Sequence, residues 1–304
     1  MKVLVAGPGL MGAQIGVEYT LGKYDVIFLA RDASTAQGRI ESAFALAEEY
    51  ELAPAAAIAA GRDRVRVTET VADLDSDAEL VVESISEDMD AKVALLRDLA
   101  KQMPDAILAS NTSSLSITEL GEGAGVADRL IGTHYWNPPL LMPLVEVITT
   151  NRVRGDIVPW ITGILTGLGK RPVLAERDVP GFIWNRMQLA LLREAVWLAE
   201  NGVASPEAID QVVREGLARR WRYTGPFQTA ALGGAATFER IANNLWPVLS
   251  NADSLSDLRQ WLNLDPEVTR LNREARDRGL NEDRRRDLAA TALDERRGDE
   301  SAGE

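Results

Sequence analysis

The 304-residue chain contains one histidine, His134, in the stretch Gly132-Thr133-His134-Tyr135-Trp136-Asn137-Pro138, and a carboxylate, Glu146, follows it at a spacing of twelve. Imidazole titrates near neutral pH and can take up and return a proton. A carboxylate on one ring nitrogen fixes the tautomer and leaves the other nitrogen as a proton acceptor. The competing reading of a lone histidine is a satisfied core side chain. Position favours chemistry. Ile131 and the residues before it read as a short buried strand, so His134 should emerge at the strand's end, where open α/β sheets place their ligands. Asn137-Pro138-Pro139 then forces an extended turn, and Leu144-Val145-Glu146-Val147-Ile148 starts a strand that can bring Glu146 back beside the ring.

Composition narrows the chemistry. A chain of this length makes about two domains, and 46% hydrophobic residues supply ample core. A formal charge of −13 excludes a nucleic-acid partner and offers little attraction to anionic membranes. The absence of cysteine excludes disulfides and thiolate metal sites, and one histidine does not build an imidazole site, so no metal is expected. The N-terminus enters a strand directly at Lys2-Val3-Leu4-Val5-Ala6, lacks a signal-peptide pattern, and no apolar run reaches membrane-spanning length. The expected location is the cytoplasm.

The elements that would position His134 begin at the first residues. Residues 3 to 6 are continuously apolar, as in a strand buried on both faces, and run into Gly7-Pro8-Gly9-Leu10-Met11-Gly12 and a helix to about Leu21. This is G-x-G-x-x-G between a strand and a helix, a dinucleotide-binding fingerprint. Gly7 permits the tight turn, Gly9 lets a pyrophosphate approach, Gly12 lets helix pack on strand, and the helix N-terminus offers free N–H groups to phosphate. A packing turn alone is the competing reading. The second strand, Asp25 to Leu29, ends at Ala30-Arg31-Asp32, where NAD-binding units place an acid for the ribose hydroxyl. Ala30 cannot accept that bond and Arg31 can pair with a 2′-phosphate, which favours NADP over NAD. Asp32 would restore NAD if the strand ended later.

Farther along, residues 34 to 60 have helical spacing split at Pro54. Short strands follow at 64–68, 79–84 and 106–109. Ser84-Ile85-Ser86-Glu87 then sits at a strand's carboxyl end beside the cofactor, with Lys92 on the first turns of the next helix, and Ser110-Asn111-Thr112-Ser113-Ser114 faces the crevice of His134. A helix from about Gly155 to Leu168 and a strand through Val173-Leu174 complete a Rossmann-type, mostly parallel sheet with helices on both faces. The pattern then becomes helical, with Phe182 to Glu200 apolar nearly all round, as in a buried helix. The expected domains are 1–178 (dinucleotide-binding, α/β), 179–293 (all-α, for substrate and dimerisation) and an unstructured, charged tail at 294–304. Trp221, Trp246 and Trp261 supply bulk for a core or subunit interface.

These segments resemble the L-3-hydroxyacyl-CoA dehydrogenase superfamily along nearly the whole chain to about residue 235. Gly-Leu-Met-Gly at 9–12, Val-Val-Glu-Ser at 81–84, Ser-Asn-Thr-Ser-Ser at 110–114, the His134 segment with Glu146, and Pro180-Gly181-Phe182-Ile183-Trp184-Asn185-Arg186 occur in the superfamily's order. The resemblance implies that His134 is the general acid/base, Glu146 its orienting partner, and Ser113 and Asn185 the groups that bind the reacting oxygen. The residues expected to contact the cofactor are Gly7, Gly9, Leu10, Met11, Gly12, Arg31, Ile85, Glu87, Lys92 and Ser113, and the resemblance implies that Glu87 and Lys92 lie toward its nicotinamide half. Because Asn185 opens the second domain, the expected site forms only when the two domains pack together. A homodimer through the helical domain is implied as well.

Members that use CoA carry a basic residue in the arm that here reads Glu51-Leu52-Ala53-Pro54-Ala55-Ala56-Ala57, which has no cation to meet a CoA phosphate. The segments 137–146 and Arg219-Arg220-Trp221-Arg222-Tyr223-Thr224-Gly225-Pro226-Phe227 look more like the branch containing L-gulonate 3-dehydrogenase, lambda-crystallin and L-carnitine dehydrogenase. The expected substrate is therefore a small 3-hydroxy or 3-oxo acid, with Arg219 and Arg222 as candidate carboxylate clamps or, equally, as solvated charge. The competing readings are a dehydrogenase of a CoA thioester, a beta-hydroxyacid dehydrogenase that uses lysine in place of histidine, and a dinucleotide-binding structural protein without turnover.

Overall fold

The computed structural model describes residues 1–74, 77–255, 258–262 and 264–301. Two compact units make up the chain: Met1–Ile183 with Asn272 onward, and Trp184–Leu271.

The first unit is a sheet of eight strands: β1 (Lys2–Ala6), β2 (Asp25–Leu29), β3 (Val65–Thr68), β4 (Leu80–Glu83), β5 (Ile107–Ser110), β6 (Leu130–Tyr135), β7 (Leu144–Ile148) and β8 (Arg171–Ala175). Their order is β3-β2-β1-β4-β5-β6-β7-β8. Every neighbouring pair is parallel except β6 with β7. The first six strands therefore have the doubly wound order whose ligand crevice lies beyond the carboxyl ends of the strands, where the chain reverses direction beside β1. β7 and β8 extend the sheet in the opposite sense, because a connection of eight residues, 136–143, is long enough for an antiparallel return and too short for a parallel crossover.

Alternation on the strands separates two cores. Val3 and Val5 of β1 and Phe28 of β2 face the layer of α1 (Leu10–Leu21), α2 (Ala33–Glu49), α3 (Ala55–Arg62) and, farther along the sheet, α6 (Ile157–Gly167). Leu4, Ala6 and Ile27 face α4 (Met89–Gln102) and α5 (Ile117–Ala124). Each fully buried valine, leucine or phenylalanine contributes roughly 1.5–3 kcal/mol of apolar transfer, and the continuous runs of β1, β2 and β4 reflect burial on both faces. The expected split at Pro54 is present between α2 and α3.

The second unit carries α7 (Trp184–Glu200), α8 (Pro206–Val212), α9 (Ala218–Trp221), α10 (Pro226–Gly233) and α11 (Ala235–Leu245), with a π-helical turn at Val213–Leu217 between α8 and α9. Ser205 caps α8 by accepting from Ala208 N–H, and Pro206 occupies its first turn.

Three expectations change here. α7 begins at Trp184, and it buries only Val196 while Met187, Leu189 and Trp197 stay exposed. A helix apolar on every side needs neighbours on every side, and within its unit it packs on α8 and the turn at Leu258–Trp261. The division falls after Ile183, and the chain from Asn272 returns to the first unit, so 272–293 does not belong with the helical unit. Finally, α12 (Pro266–Ser301) carries helix through most of the expected tail; residues 302–304 lie outside the described residues. Its composition is charged but rich in Ala, Leu, Glu and Arg, all favourable in helices, and pairs such as Glu267–Arg270 at 2.6 Å lie on one face.

Candidate active site

β6 and β7 place His134 and Glu146 directly opposite each other in antiparallel register. Side chains of directly opposed residues project to the same face, so the register brings the pair together. His134 Nδ1 lies 2.7 Å from Glu146 Oε2, and both residues are buried. An ionised carboxylate only accepts, so Nδ1 carries the hydrogen, and in the neutral ring Nε2 is then the acceptor. His134 is the fifth of the six residues of β6, at the strand's carboxyl end. Strand pairing therefore fixes the backbone that carries the imidazole.

A sharp turn packs against this pair. Asp178 accepts from the Ser116 hydroxyl at 2.6 Å and from Thr118 N–H at 2.8 Å, which fastens the segment after β8 to the start of α5. Gly181 (φ 78°) and Phe182 (φ 51°) are both left-handed. A bulky residue in that region is strained by about 1–3 kcal/mol and persists only where its surroundings demand it. Here the turn lays the Phe182 ring 5.6 Å from the imidazole, centroid to centroid, and aims Ile183 N–H at Glu146 Oε1 at 2.9 Å. Both carboxylate oxygens are thereby engaged in an apolar setting. The sequence marked Pro180-Gly181-Phe182 as a motif but did not reveal this contact, which joins residues 37 positions apart.

The loop after β5 lies beside β6 because the two strands are neighbours, with Ser110 opposite Gly132. Asn111 Oδ1 accepts from Tyr135 N–H at 2.9 Å, next to His134, and its amide donates to Ser84 Oγ at 3.2 Å. Glu87 Oε1 receives the Thr112 hydroxyl at 2.6 Å, Ser113 N–H at 2.8 Å and Ser114 N–H at 2.9 Å. Burial pushes the Glu87 carboxyl up, but these donors and the nearby Lys92 ammonium hold it below the usual carboxylate range. Glu87 is thus a clamp on the loop that carries Ser113. Lys92 is almost wholly buried, with Nζ 2.6 Å from Glu83 Oε1, while Glu83 Oε2 takes the Ser110 hydroxyl at 2.5 Å. In the structure Lys92 supports the ends of β4 and β5 from beneath and does not line the dinucleotide cleft described next.

That cleft, of about 790 Å³, runs over the carboxyl ends of β1, β2 and β4 and is lined by Gly7, Gly9, Arg31, Asp32, Arg39 and Ile85, among others. The three glycines differ in what a side chain would meet. A Cβ on Gly12 would sit 2.2 Å from Gly7 O and one on Gly7 (φ 91°) 2.7 Å from Ser84 O, whereas one on Gly9 meets nothing within 4 Å. Gly9 therefore faces open cleft, as a pyrophosphate approach requires. Leu10, Met11 and Gly12 form the first turn of α1, which holds no acidic residue, so its N–H groups and positive dipole end are available to phosphate. A nicotinamide dinucleotide fits this cradle. At the far end β2 stops at Leu29, and Asp32 caps α2 by accepting from Thr35 N–H at 2.6 Å. Glu69 similarly accepts from Ala33 N–H at 2.7 Å. Arg31 and Arg39 have no ion-pair partner among the described residues.

In the second unit Asn185 is the second residue of α7. Arg219 pairs with Glu215 one helical turn away at 3.3 Å, on the exposed surface. A recess of about 460 Å³ in this unit is lined by Arg220, Tyr223 and Phe238, among others, and by neither Arg219 nor Arg222.

Among the described residues no group of three or more His, Cys, Asp or Glu could hold a metal ion, and no helix is long and apolar enough to cross a membrane.

The family model of the 3-hydroxyacyl-CoA dehydrogenase NAD binding domain matches residues 2–179, and that of the 3-hydroxyacyl-CoA dehydrogenase C-terminal domain matches residues 181–275. A 5-formyl-3-hydroxy-2-methylpyridine 4-carboxylate 5-dehydrogenase of Mesorhizobium japonicum is 33% identical over 260 residues, which is 84% of each chain. An L-carnitine dehydrogenase of Nocardiopsis dassonvillei is 34% identical over 269 residues, 87% of this chain and 77% of its own. The crystal structure of a 5-formyl-3-hydroxy-2-methylpyridine 4-carboxylic acid 5-dehydrogenase, described as an NAD+ dependent dismutase, superposes with a TM-score of 0.84 at 28% identity, covering 94% of this chain and 98% of that one.

Proposed function

Since the chain belongs to the 3-hydroxyacyl-CoA dehydrogenase family and is a nicotinamide-dependent dehydrogenase acting on a CH–OH group, we propose that it oxidises a small 3-hydroxy acid, or reduces the 3-oxo acid, with His134 and Glu146 as the acid/base pair. The observation that carries this reading is the 2.7 Å contact from His134 Nδ1 to Glu146, which leaves Nε2 as the acceptor. When bound, the nicotinamide supplies the hydride acceptor. Nε2 of His134 takes the hydroxyl proton as the alcohol carbon becomes a carbonyl, and in reduction it returns that proton to the oxygen. Glu146 stabilises the imidazolium that forms, an electrostatic effect strengthened by the dry surroundings of Phe182. Ser113, on the loop clamped by Glu87, aims the substrate oxygen; the oxygen-binding role of Asn185 rests on the resemblance.

For the cofactor we propose NADP over NAD. Ala30 cannot hold a ribose hydroxyl, Asp32 and Glu69 are engaged by backbone N–H groups, and Arg31 and Arg39 line the cleft without an ion-pair partner among the described residues, a setting suited to a 2′-phosphate. For the substrate, the arm at Glu51–Ala57 has no cation, and Glu51 pairs with Arg285 of α12 at 3.1 Å, which favours a small acid over a CoA thioester. The end-to-end likeness to the pyridine-carboxylate dehydrogenase supports a second reading: a carboxylate-bearing aromatic aldehyde, whose hydrate presents the same CH–OH group to His134. The second unit exposes Tyr223, Phe227, Leu232 and Trp246, which favours a homodimer through that unit, checked by light scattering. The protein reads as cytoplasmic.

The test is a comparison of initial rates with NADP+ and NAD+ over L-carnitine, L-gulonate, 3-hydroxybutyrate, 3-hydroxybutyryl-CoA and an aromatic aldehyde acid. Highest kcat/KM for a free 3-hydroxy acid with NADP+ is expected. Preference for the thioester would overturn the substrate assignment, and preference for NAD+ the cofactor assignment.

A further inference from the structure

Lys170 lies between α6 and β8, away from the dinucleotide cleft, and is almost wholly buried. Its ammonium donates to Pro139 O at 2.6 Å, to Met142 O at 2.9 Å and to Glu18 Oε1 at 2.8 Å. An ammonium has three hydrogens, and these acceptors use them all. Pro139 and Met142 belong to the connection that joins β6 to β7, which is the connection that returns Glu146 to His134. The same Nζ stands 5.8 Å from the ring of Tyr135, the residue after His134. Immediately after Lys170, Arg171 N–H donates to Pro143 O at 2.8 Å, and β8 then pairs with β7 so that Val173 lies opposite Glu146.

The cluster is closed by the last helix. Arg284 of α12 donates to Glu18 Oε1 at 2.8 Å, to Leu168 O at 3.0 Å and to Gly169 O. Leu288 packs so closely that a Cβ on Gly169 would meet it at 2.8 Å. Glu18 therefore holds two cations on one oxygen, one from the stretch that leads into β8 and one from a helix 266 residues away in sequence. Burial pushes the Lys170 ammonium down to about 8, against the pull of Glu18 toward the charged form. A charge kept in such a place without contact to the cleft calls for a structural purpose that an apolar residue would not serve, because two carbonyls of the loop would otherwise lack donors.

We propose that Lys170 is a positioning residue for the proton-transfer pair: it fastens the loop between β6 and β7 to α1, and with Arg284 as its outer lock it sets the alignment of His134 against Glu146. The inference rests on the reading of that pair as the acid/base machinery. A misplacement near 1 Å at a reacting group lowers turnover by roughly a hundredfold, so a loosened loop would act through kcat while the cofactor cleft stays intact.

The chain holds a single histidine, so labelled histidine gives one set of ring signals that reports the Nδ1 hydrogen bond in the substrate-free protein. In Lys170→Met we expect the Nδ1 signal to shift or broaden and kcat to fall roughly ten- to a hundredfold, while NADPH affinity measured by fluorescence stays within about twofold. Glu18→Gln and Arg284→Met should move the same signal by smaller amounts. A folded Lys170→Met whose ring signals coincide with those of the parent overturns the proposal. Should Lys170→Met not fold, coincident signals in folded Glu18→Gln and Arg284→Met overturn it equally. A protein that turns over no hydroxy acid would refute the proposed function and leave the imidazole result to be judged by itself.

Discussion

Glu146 grips His134 from the opposite strand while its other oxygen grips Ile183 N–H, so one carboxylate links the β6–β7 pair to the turn of Phe182. Replacing His134 by Ala removes the proton acceptor without touching the cleft. Turnover should fall by about two to four powers of ten with NADPH affinity nearly unchanged. Glu146→Gln keeps the shape but admits the wrong tautomer, and a loss of about two or more powers of ten in kcat is expected. Stopped-flow rates with fluorescence binding check both, and undiminished turnover in His134→Ala would refute its role.

The glycines of the first turn should separate by variant. Gly12→Ala forces a methyl group to within 2.2 Å of Gly7 O, so backbone must shift, and both thermal stability and dinucleotide affinity should drop. Gly9→Ala meets open space, so melting temperature should hold while affinity falls roughly tenfold or more, because the methyl group occupies the pyrophosphate's approach. Calorimetry with and without NADPH distinguishes the two.

Arg31→Ala and Arg39→Ala should each weaken NADP+ by about tenfold or more, since charge-assisted bonds to phosphate contribute roughly 1.5–3 kcal/mol each. NAD+ should be little affected. Equal loss for both dinucleotides, measured as KM at saturating substrate, would remove these residues from 2′-phosphate recognition.

Glu87 makes a pH-dependent contribution of known sign. Its carboxyl is held below its ordinary 4.5, so the stabilisation it provides is complete above that value and is lost as pH falls through the lower value of the folded state. The parent should melt higher than Glu87→Gln by a constant margin from neutral pH down to about 5, and the margin should close under stronger acid. A margin independent of pH down to acid unfolding would show that the clamp on Ser113 does not depend on ionised Glu87.

Much of the fold was legible beforehand because its causes are local. The apolar run of residues 3 to 6, the glycine spacing after it and Pro54 between α2 and α3 each act over a few residues. Resemblance marked the motif around Phe182 but not its left-handed backbone or the bond to Glu146. Lys92 shows the same division: its place after β4 follows from chain order, whereas its buried pairing with Glu83 follows from packing. Charge and glycine suggest disorder at 294–304, yet α12 continues to Ser301; ahead of that stretch, Arg284 gains a buried carboxylate only once α1 is in place.

By itself, then, the order of residue types determined the strand-turn-helix that cradles a dinucleotide, the succession of strands, and the candidacy of one imidazole and one carboxylate. Those features arise from backbone preference and side-chain periodicity, which operate within a few residues of each other. Only tertiary structure decided that Phe182 and Ile183 close over the pair, and that Lys170, Glu18 and Arg284 meet beneath the connecting loop. Such contacts join positions as far as 266 residues apart, and they form because buried charges and carbonyls must find partners once the sheet has excluded water.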